Sequence, residues 1–320
     1  MQKNYTEHVH TAEAYVYWQK GANIEKKPDS KCITKWRGGA NSQGQKAEMR
    51  FNPNNEEAYL VQSERKVPLG KCKSYADFVK IKCWTEKRIG GMMTFTRVDF
   101  AVDYPDTENA DVFRKMCDLL VAALIVKDNV SKKNQYYGST LITREHKNAK
   151  ASGKYIEIER YNKAIQKPGS GILWRLELRY IGNKKCEESE QINDIVQMLE
   201  VIAEELISLK KYRVDVLEKM NEALYRDYQK LQKNKGDGHI NLAQFMIENE
   251  DRIFSGKQLS RLAQRIGAGK RFGNNFGKRN KHIYITEKAY ISFIDSLVES
   301  IEKWVHREPT FTIVENRIVK

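Results

Sequence analysis

The sequence predicts an α+β protein: a twisted, mainly antiparallel sheet with covering helices, followed by a helical section and a small basic C-terminal module. Three observations carry this. Three segments, Thr96-Arg-Val-Asp-Phe-Ala-Val-Asp-Tyr104, Lys154-Tyr-Ile-Glu-Ile-Glu-Arg-Tyr-Asn-Lys163 and Trp174-Arg-Leu-Glu-Leu-Arg-Tyr180, alternate side chains with the period of two that a pleated strand requires. From Glu187 to Lys233 there is neither Gly nor Pro, and apolar residues recur at steps of three and four, as on one face of a helix. Residues 267–282 form a glycine-rich run with Lys270, Arg271, Lys278, Arg279 and Lys281 and no acid.

With 320 residues and a hydrophobic fraction of 40%, the chain can fill its core without disulfides. Its 56 Lys and Arg against 42 Asp and Glu leave a net charge of +14, which points to a polyanionic partner. Nucleic acid is the first expectation and an anionic membrane surface the second. No apolar run approaches the roughly 20 residues of a membrane span, and the first residues form no signal core. A cytoplasmic location is expected. Cys32, Cys72, Cys83, Cys117 and Cys186 lack the close spacing of a zinc knuckle and read as free thiols.

In chain order, Ala14-Tyr-Val-Tyr-Trp18 reads as a short strand, and the Gly- and Lys-rich stretch through Gly38, Gly39 and Gly44 as loop. His8-Val-His10 has the spacing by which another class of DNA-nicking enzymes holds its metal, but its polar setting reads as ordinary surface. Glu48-Met-Arg-Phe-Asn-Pro-Asn54 reads as a strand ending in a turn. Ser74 is a candidate N-cap for a helix to about Lys87, and Gly90-Gly91 releases the chain into the Arg97 strand. A helix over 109–126 presents Val112, Phe113, Met116, Leu119, Leu120, Ala123 and Leu124 to cover the sheet. Gln135-Tyr-Tyr-Gly-Ser139 is a short strand and turn, and Arg144 to Lys154 an exposed basic loop. Residues 187–233 form one long helix or a tight pair, with Arg213 interrupting the apolar series. Helices over 241–251 and 256–266, the latter capped by Ser255, precede the basic glycine run; Ile283-Tyr-Ile285 and a helix over 286–305 follow it. Gly267-Ala-Gly269-Lys270 is not a phosphate-binding P-loop, since Arg271 stands where Ser or Thr would hold magnesium.

If the three alternating strands share a sheet, their polar faces gather Arg97, Asp99 and Asp103, Tyr155, Glu157, Glu159 and Tyr161, and Arg175, Glu177 and Arg179. Asp99, Asp103 and Glu177 are hard oxygen ligands suited to Mg²⁺ or Mn²⁺. Arg97, Lys163 and Arg175 can offset charge developing on a phosphate. Tyr161 is the candidate nucleophile: a tyrosine ester retains the energy of the broken phosphodiester, so the step can be reversed by the released 3′-hydroxyl. A phenol with a pKa of about 10 needs help to attack. Taken singly, each residue also reads as a solvated position on the outer face of an antiparallel sheet.

Met49-Arg-Phe-Asn-Pro-Asn54, Thr96-Arg-Val-Asp-Phe-Ala-Val-Asp103, Tyr136-Tyr-Gly138, Arg160-Tyr-Asn-Lys163 and Trp174-Arg-Leu-Glu177 occur in the order found in the Rep_trans family, which this chain resembles. These are the replication initiators of Gram-positive rolling-circle plasmids, related to mobile-element relaxases. The resemblance covers residues 47–180. It implies that Tyr161 nicks the plus strand of a replication origin and stays on its 5′ end, that Asp99, Asp103 and Glu177 bind a divalent ion, and that the protein is a bacterial homodimer working with a host helicase. This chain departs from the family pattern in having Glu159 two residues before the tyrosine, where the initiators have arginine.

The expected organisation is a nicking domain over 1–185, a helical connector or dimerisation section over 186–235, and a basic DNA-binding module over 236–320. The rivals are a relaxase of a conjugative or phage-like element using the same chemistry, and a non-enzymatic DNA-binding regulator.

Overall fold

The computed structural model describes backbone and side chains over residues 5–17, 72–87, 90–105, 107–127, 156–182, 194–235, 244–267 and 284–310, and only the backbone course of some strands and helix ends outside them. Contacts group the chain into two compact units. Met1–Asp106, Lys132–Ile207 and Ser296–Lys320 make the first; Thr107–Ser131 and Ser208–Asp295 make the second. The fold is α+β.

The first unit is built on an antiparallel sheet of β1 (Thr6–Tyr17), β2 (Ile33–Asn41), β3 (Gly44–Phe51), β6 (Met92–Pro105), β7 (Gln135–Tyr137), β8 (Thr140–Ile142), β9 (Tyr155–Asn162) and β10 (Ile172–Ile181), in the order β2-β3-β1-β6-β10-β9-β8-β7. Two small hairpins stand apart from it, β4 (Tyr59–Gln62) with β5 (Arg65–Pro68), and β11 (Thr312–Val314) with β12 (Arg317–Val319). The three strands read from alternation are direct neighbours, β6-β10-β9. The short strand expected at residues 14–18 is instead the twelve-residue β1, and the stretch expected as loop contributes the β2-β3 hairpin. Glycines in this hairpin carry little strand propensity of their own. Pairing with β1 from Ala12↔Phe51 to Tyr17↔Lys46 supplies the context that overrides it.

Behind the sheet, α1 (Tyr75–Ile89) starts as its sequence requires: Ser74 Oγ accepts from the Asp77 amide at 3.1 Å, and Gly90 closes the helix at φ 65°. Asp77 in turn accepts from the Lys73 amide, and also binds Thr310 through its amide and hydroxyl, both at 2.7 Å. Ser74 is fully buried. Ser74→Ala should therefore lower stability by about 1 kcal/mol, read as a shift in the urea midpoint at unchanged slope. The core of this unit centres on Phe78, Phe95, Phe100 and Trp304, whose rings meet at centroid separations of 5.2 to 6.4 Å. The Trp304 indole N–H donates to the Cys72 carbonyl at 3.3 Å, so the largest buried side chain has its polar atom satisfied.

The second unit is helical. α2 (Ala110–Lys127), expected over the sheet, belongs here by its contacts and packs against α5. A four-residue α3 (Lys163–Gln166) and α4 (Ile195–Leu209) precede α5 (Arg213–Asn234) in the chain; a 3-10 turn over Lys210–Tyr212 separates α4 from α5. The helix expected over 187–233 is thus a pair. Its interruption at Arg213 has a cause: the guanidinium turns inward, and Nη2 donates to the Ile285 carbonyl at 2.9 Å. α6 (Leu242–Glu248), a 3-10 turn over Glu250–Arg252 and α7 (Gly256–Arg265) follow, then α8 (Glu287–His306), whose first half is counted with this unit. The strand expected at 283–285 is not formed in its described part; Ile285 makes a single backbone bond, its N–H donating to the Phe254 carbonyl at 2.6 Å. Leu224, Phe245, Met246, Ile253, Leu259, Leu262 and Ala263 form the core of α5, α6 and α7. No described helix is long and apolar enough to cross a membrane. Among the described residues, Cys72, Cys83 and Cys117 form no disulfide.

Candidate functional site

The antiparallel register aligns three polar rows across β6, β10 and β9. Asp103, Arg175 and Tyr161 make the first; Ala101, Glu177 and Glu159 the second; Asp99, Arg179 and Glu157 the third. On the other side of β6, β1 places His8 opposite Ala101. Ala101 offers only a methyl group, which leaves room for the longer side chains on either side.

The Tyr161 hydroxyl donates to Glu177 Oε1 at 2.7 Å, with the ring 5% exposed and Glu177 3% exposed. Arg175 grips Asp103 through Nε at 2.5 Å and Nη2 at 2.7 Å, a bidentate pair of two buried groups. Its Nη1 is buried, makes no hydrogen bond among the described residues and lies 3.8 Å from Glu177 Oε1. Lys163 Nζ stands 5.5 Å from the centre of the Tyr161 ring. The structure therefore brings Tyr161, Lys163, Arg175, Asp103 and Glu177 together.

Arg97 and Asp99 are not part of that group. Asp99 lies four residues along β6 from Asp103, a displacement of about 13 Å, and is held by Arg97 Nε and Nη2 at 2.6 and 2.7 Å. Arg97 also reaches Glu13 at 3.3 Å. Between the two groups sits Arg179, which sequence reasoning left without a role. It donates to Glu157, Glu159 and Glu177 and approaches Asp99 at 3.6 Å. The residues Lys270, Arg271, Lys278, Arg279 and Lys281 lie outside the described residues, as does the basic loop before β9.

The reading of His8 and His10 as surface residues is corrected. His8 is 3% exposed with Nδ1 4.0 Å from Asp103 Oδ2, and His10 Nε2 lies 3.8 Å from Glu177 Oε1. The β1-β6 register runs from Val9↔Phe100 to Thr11↔Asp99, so His10 is the extra residue of a β-bulge, the device by which a strand re-aims a side chain. Two histidines one residue apart on a strand share a face; that signal was present in the sequence, but the partner strand was not.

Burial pushes the Tyr161 phenol well above its ordinary range, and the neighbouring Glu177 carboxylate adds to it, outweighing Arg175. Burial also acts against the Glu177 carboxylate, yet Arg179, His10 and the phenol bond prevail and bring it to about 2. Burial lowers His10 to about 4, with Glu177 opposing and Arg175 and Lys163 assisting. Burial and Arg175 likewise lower Lys163. The phenol is thus fully protonated, with an ionised acceptor already in place.

A pH dependence follows. His10 titrates at about 4 in the fold against an ordinary 6.5, so the unfolded chain takes up the proton first. This contribution is fully present above pH 6.5 and is lost as pH falls toward 4, by roughly 1–2 kcal/mol after allowing for the ring's partial exposure. His10→Gln should flatten the stability curve in that window, as measured by urea unfolding at successive pH values.

Among the described residues no three of His, Cys, Asp and Glu stand as a ready ligand set. His8 lies 4.0 Å from Asp103 and His10 3.8 Å from Glu177, pairing imidazoles with hard oxygens that are chemically suited to a divalent ion. Asp99 is engaged by arginines two rows away.

No family model matches the sequence, and no curated protein matches it. Among solved structures, the chain is similar to a rolling circle replication initiator protein from Geobacillus stearothermophilus, at 11% identity and a TM-score of 0.26, over 67% of this chain and 84% of the other.

Proposed function

We propose that the protein is a rolling-circle replication initiator that binds an origin and nicks one DNA strand through Tyr161. The observation that carries this reading is the Tyr161 hydroxyl donating at 2.7 Å to an ionised, buried Glu177, beside the buried guanidinium of Arg175. In the proposed step, the phenolic oxygen bonds to the scissile phosphorus and releases its proton to water, while Glu177, too weak a base at about 2 to take it outright, accepts the O–H hydrogen bond that aims the phenol. The phosphorus–3′-oxygen bond breaks, the 3′-oxygen departs to acquire a proton, and the 5′ phosphate remains on Tyr161. Arg175 and Lys163 would stabilise charge on the non-bridging oxygens. Among the described residues no three such donors form a ligand set, so no step here is routed through a metal; Mg²⁺ or Mn²⁺, if bound beside Asp103 and Glu177, would supply Lewis-acid polarisation of the phosphate.

On this reading the partners are origin DNA, a second copy of the chain and a host helicase. The test is incubation with a labelled single-stranded origin oligonucleotide and Mn²⁺, followed by peptide mapping. An adduct on the Tyr161 peptide is expected; cleavage without an adduct, or an adduct elsewhere, refutes the assignment. The basic run supplies cations to DNA phosphates. Neutralising Lys270, Arg271, Lys278, Arg279 and Lys281 should reduce the log–log salt slope of binding by about 0.9 for each phosphate left unneutralised.

A further inference from the structure

The helical unit carries a second surface that the nicking site does not use. The inward arc of α7 is Gln258, Leu259, Leu262 and Ala263, all buried. Its outward arc, spanning about 100° at 3.6 residues per turn, is Lys257, Arg261, Gln264 and Arg265, all exposed. Three cations, one amide and no acid on one stripe of a short helix make a poor solvent face for its own sake. They match what the DNA major groove asks for: guanidinium donors for guanine, an amide for adenine, and cations for the flanking phosphates.

The helix is also held as a reading element must be. It is the third of three helices around one apolar core, with α5 and α6 behind it. Residues 249–255, between α6 and α7, are longer than the three or four of a compact helix-turn-helix, but they are pinned from several sides. Gln258, 2% exposed, accepts from the Phe254 amide at 2.7 Å and donates to the Arg252 carbonyl at 3.0 Å. Lys115 Nζ donates to the carbonyls of Glu250 and Ile253, both at 3.4 Å. Ser255 caps α7 at 3.0 Å, and Gly267, at φ 75°, ends it. The stripe is thus presented on a fixed axis.

We propose that α7 is the duplex-reading helix of this protein. It enters the major groove of double-stranded DNA, where Arg261, Gln264 and Arg265 meet base edges and Lys257 meets a phosphate. In the free protein the two arginines are parked: Arg261 Nη1 donates to Glu218 at 2.9 Å, and Arg265 lies 5.2 Å over the Tyr225 ring. A cleft of about 420 Å³ lies between α5 and α7, lined by Glu218, Asn221, Glu222, Arg261, Gln264 and Arg265. Its acids keep phosphates off the α5 side and so orient the groove toward α7. This inference rests on the reading of the protein as origin-binding, but not on its chemistry.

The experiment uses the full chain and a randomised duplex pool, with affinity then measured by fluorescence anisotropy on the enriched sequence. Wild type enriches a defined sequence. The double variant Arg261→Ala, Arg265→Ala loses about tenfold or more in affinity for it, and Gln264→Ala relaxes preference at one position while leaving the salt slope unchanged. Lys257→Ala weakens all duplexes alike and lowers the salt slope by about 0.9. Glu218→Gln, which releases Arg261, tightens binding severalfold, a gain that misfolding cannot imitate. Enrichment of the same sequence at undiminished affinity by the arginine and glutamine variants overturns the proposal. So does a wild type that prefers single-stranded DNA or RNA, or a Glu218→Gln variant that binds no better. Adduct formation on a single-stranded oligonucleotide, measured in parallel, reports the Tyr161 chemistry separately: its absence with duplex reading intact removes the nicking step and leaves α7 standing.

Discussion

Tyr161→Phe is expected to eliminate the covalent protein–oligonucleotide adduct and to lower strand cleavage by ~10³-fold or more, because no neighbouring group can replace the lost nucleophile. The substitution removes one oxygen and one hydrogen bond. Glu177 keeps Arg179 as a partner and the ring keeps its packing, so unfolding should change by only about 1 kcal/mol and duplex binding hardly at all. A parallel variant, Glu177→Gln, separates the roles. It retains the phenol but removes the ionised hydrogen-bond acceptor that aims it, so the adduct should form slowly on the same peptide rather than vanish. Persistence of the full rate in Tyr161→Phe, or an adduct mapped to Tyr155 or Tyr180, sinks the assignment.

Arg175→Met is expected to cost about 3–5 kcal/mol of stability, since it leaves the Asp103 carboxylate, 1% exposed, without its bidentate partner in the interior. Removing both charges should be milder. Arg175→Met with Asp103→Leu is expected to recover most of the loss, because two apolar side chains incur no desolvation penalty. Both variants should fail to nick, the single one for want of fold and catalyst together, the double one for want of the catalyst alone. Urea unfolding of the two singles and the double gives the coupling energy, and a value near zero would falsify the account of this pair as one unit.

The three central strands were legible because each alternates strictly, and alternation survives burial of both faces. Asp103, Glu177 and Tyr161 were legible as members of polar faces because residues two and four apart on a strand keep their face, whereas the row shared by Asp103, Arg175 and Tyr161 is set by the register between strands. What could not be read was which strands are neighbours. β1 pairs with β6 across some ninety residues of sequence, and only that pairing converts His8 and His10 from a polar N-terminal stretch into part of the site. The same gap hid the separation of Asp99 from Tyr161. Sequence spacing placed both on the right face, but distance along the strand put them two rows apart, with the Glu177 row between. Arg213 was visible as an interruption in an apolar series, whereas its acceptor, a backbone carbonyl at Ile285, carries no side-chain signal. The stripe on α7 went unnoticed beside the more basic glycine run that follows it.

Trp304 fills the centre of a unit whose first strand begins at Thr6. A nascent chain emerging from the ribosome therefore lacks the keystone of this sheet until translation has passed residue 304. A chain terminated before residue 304 would display the aromatic faces of Phe78, Phe95 and Phe100 to chaperones and proteases.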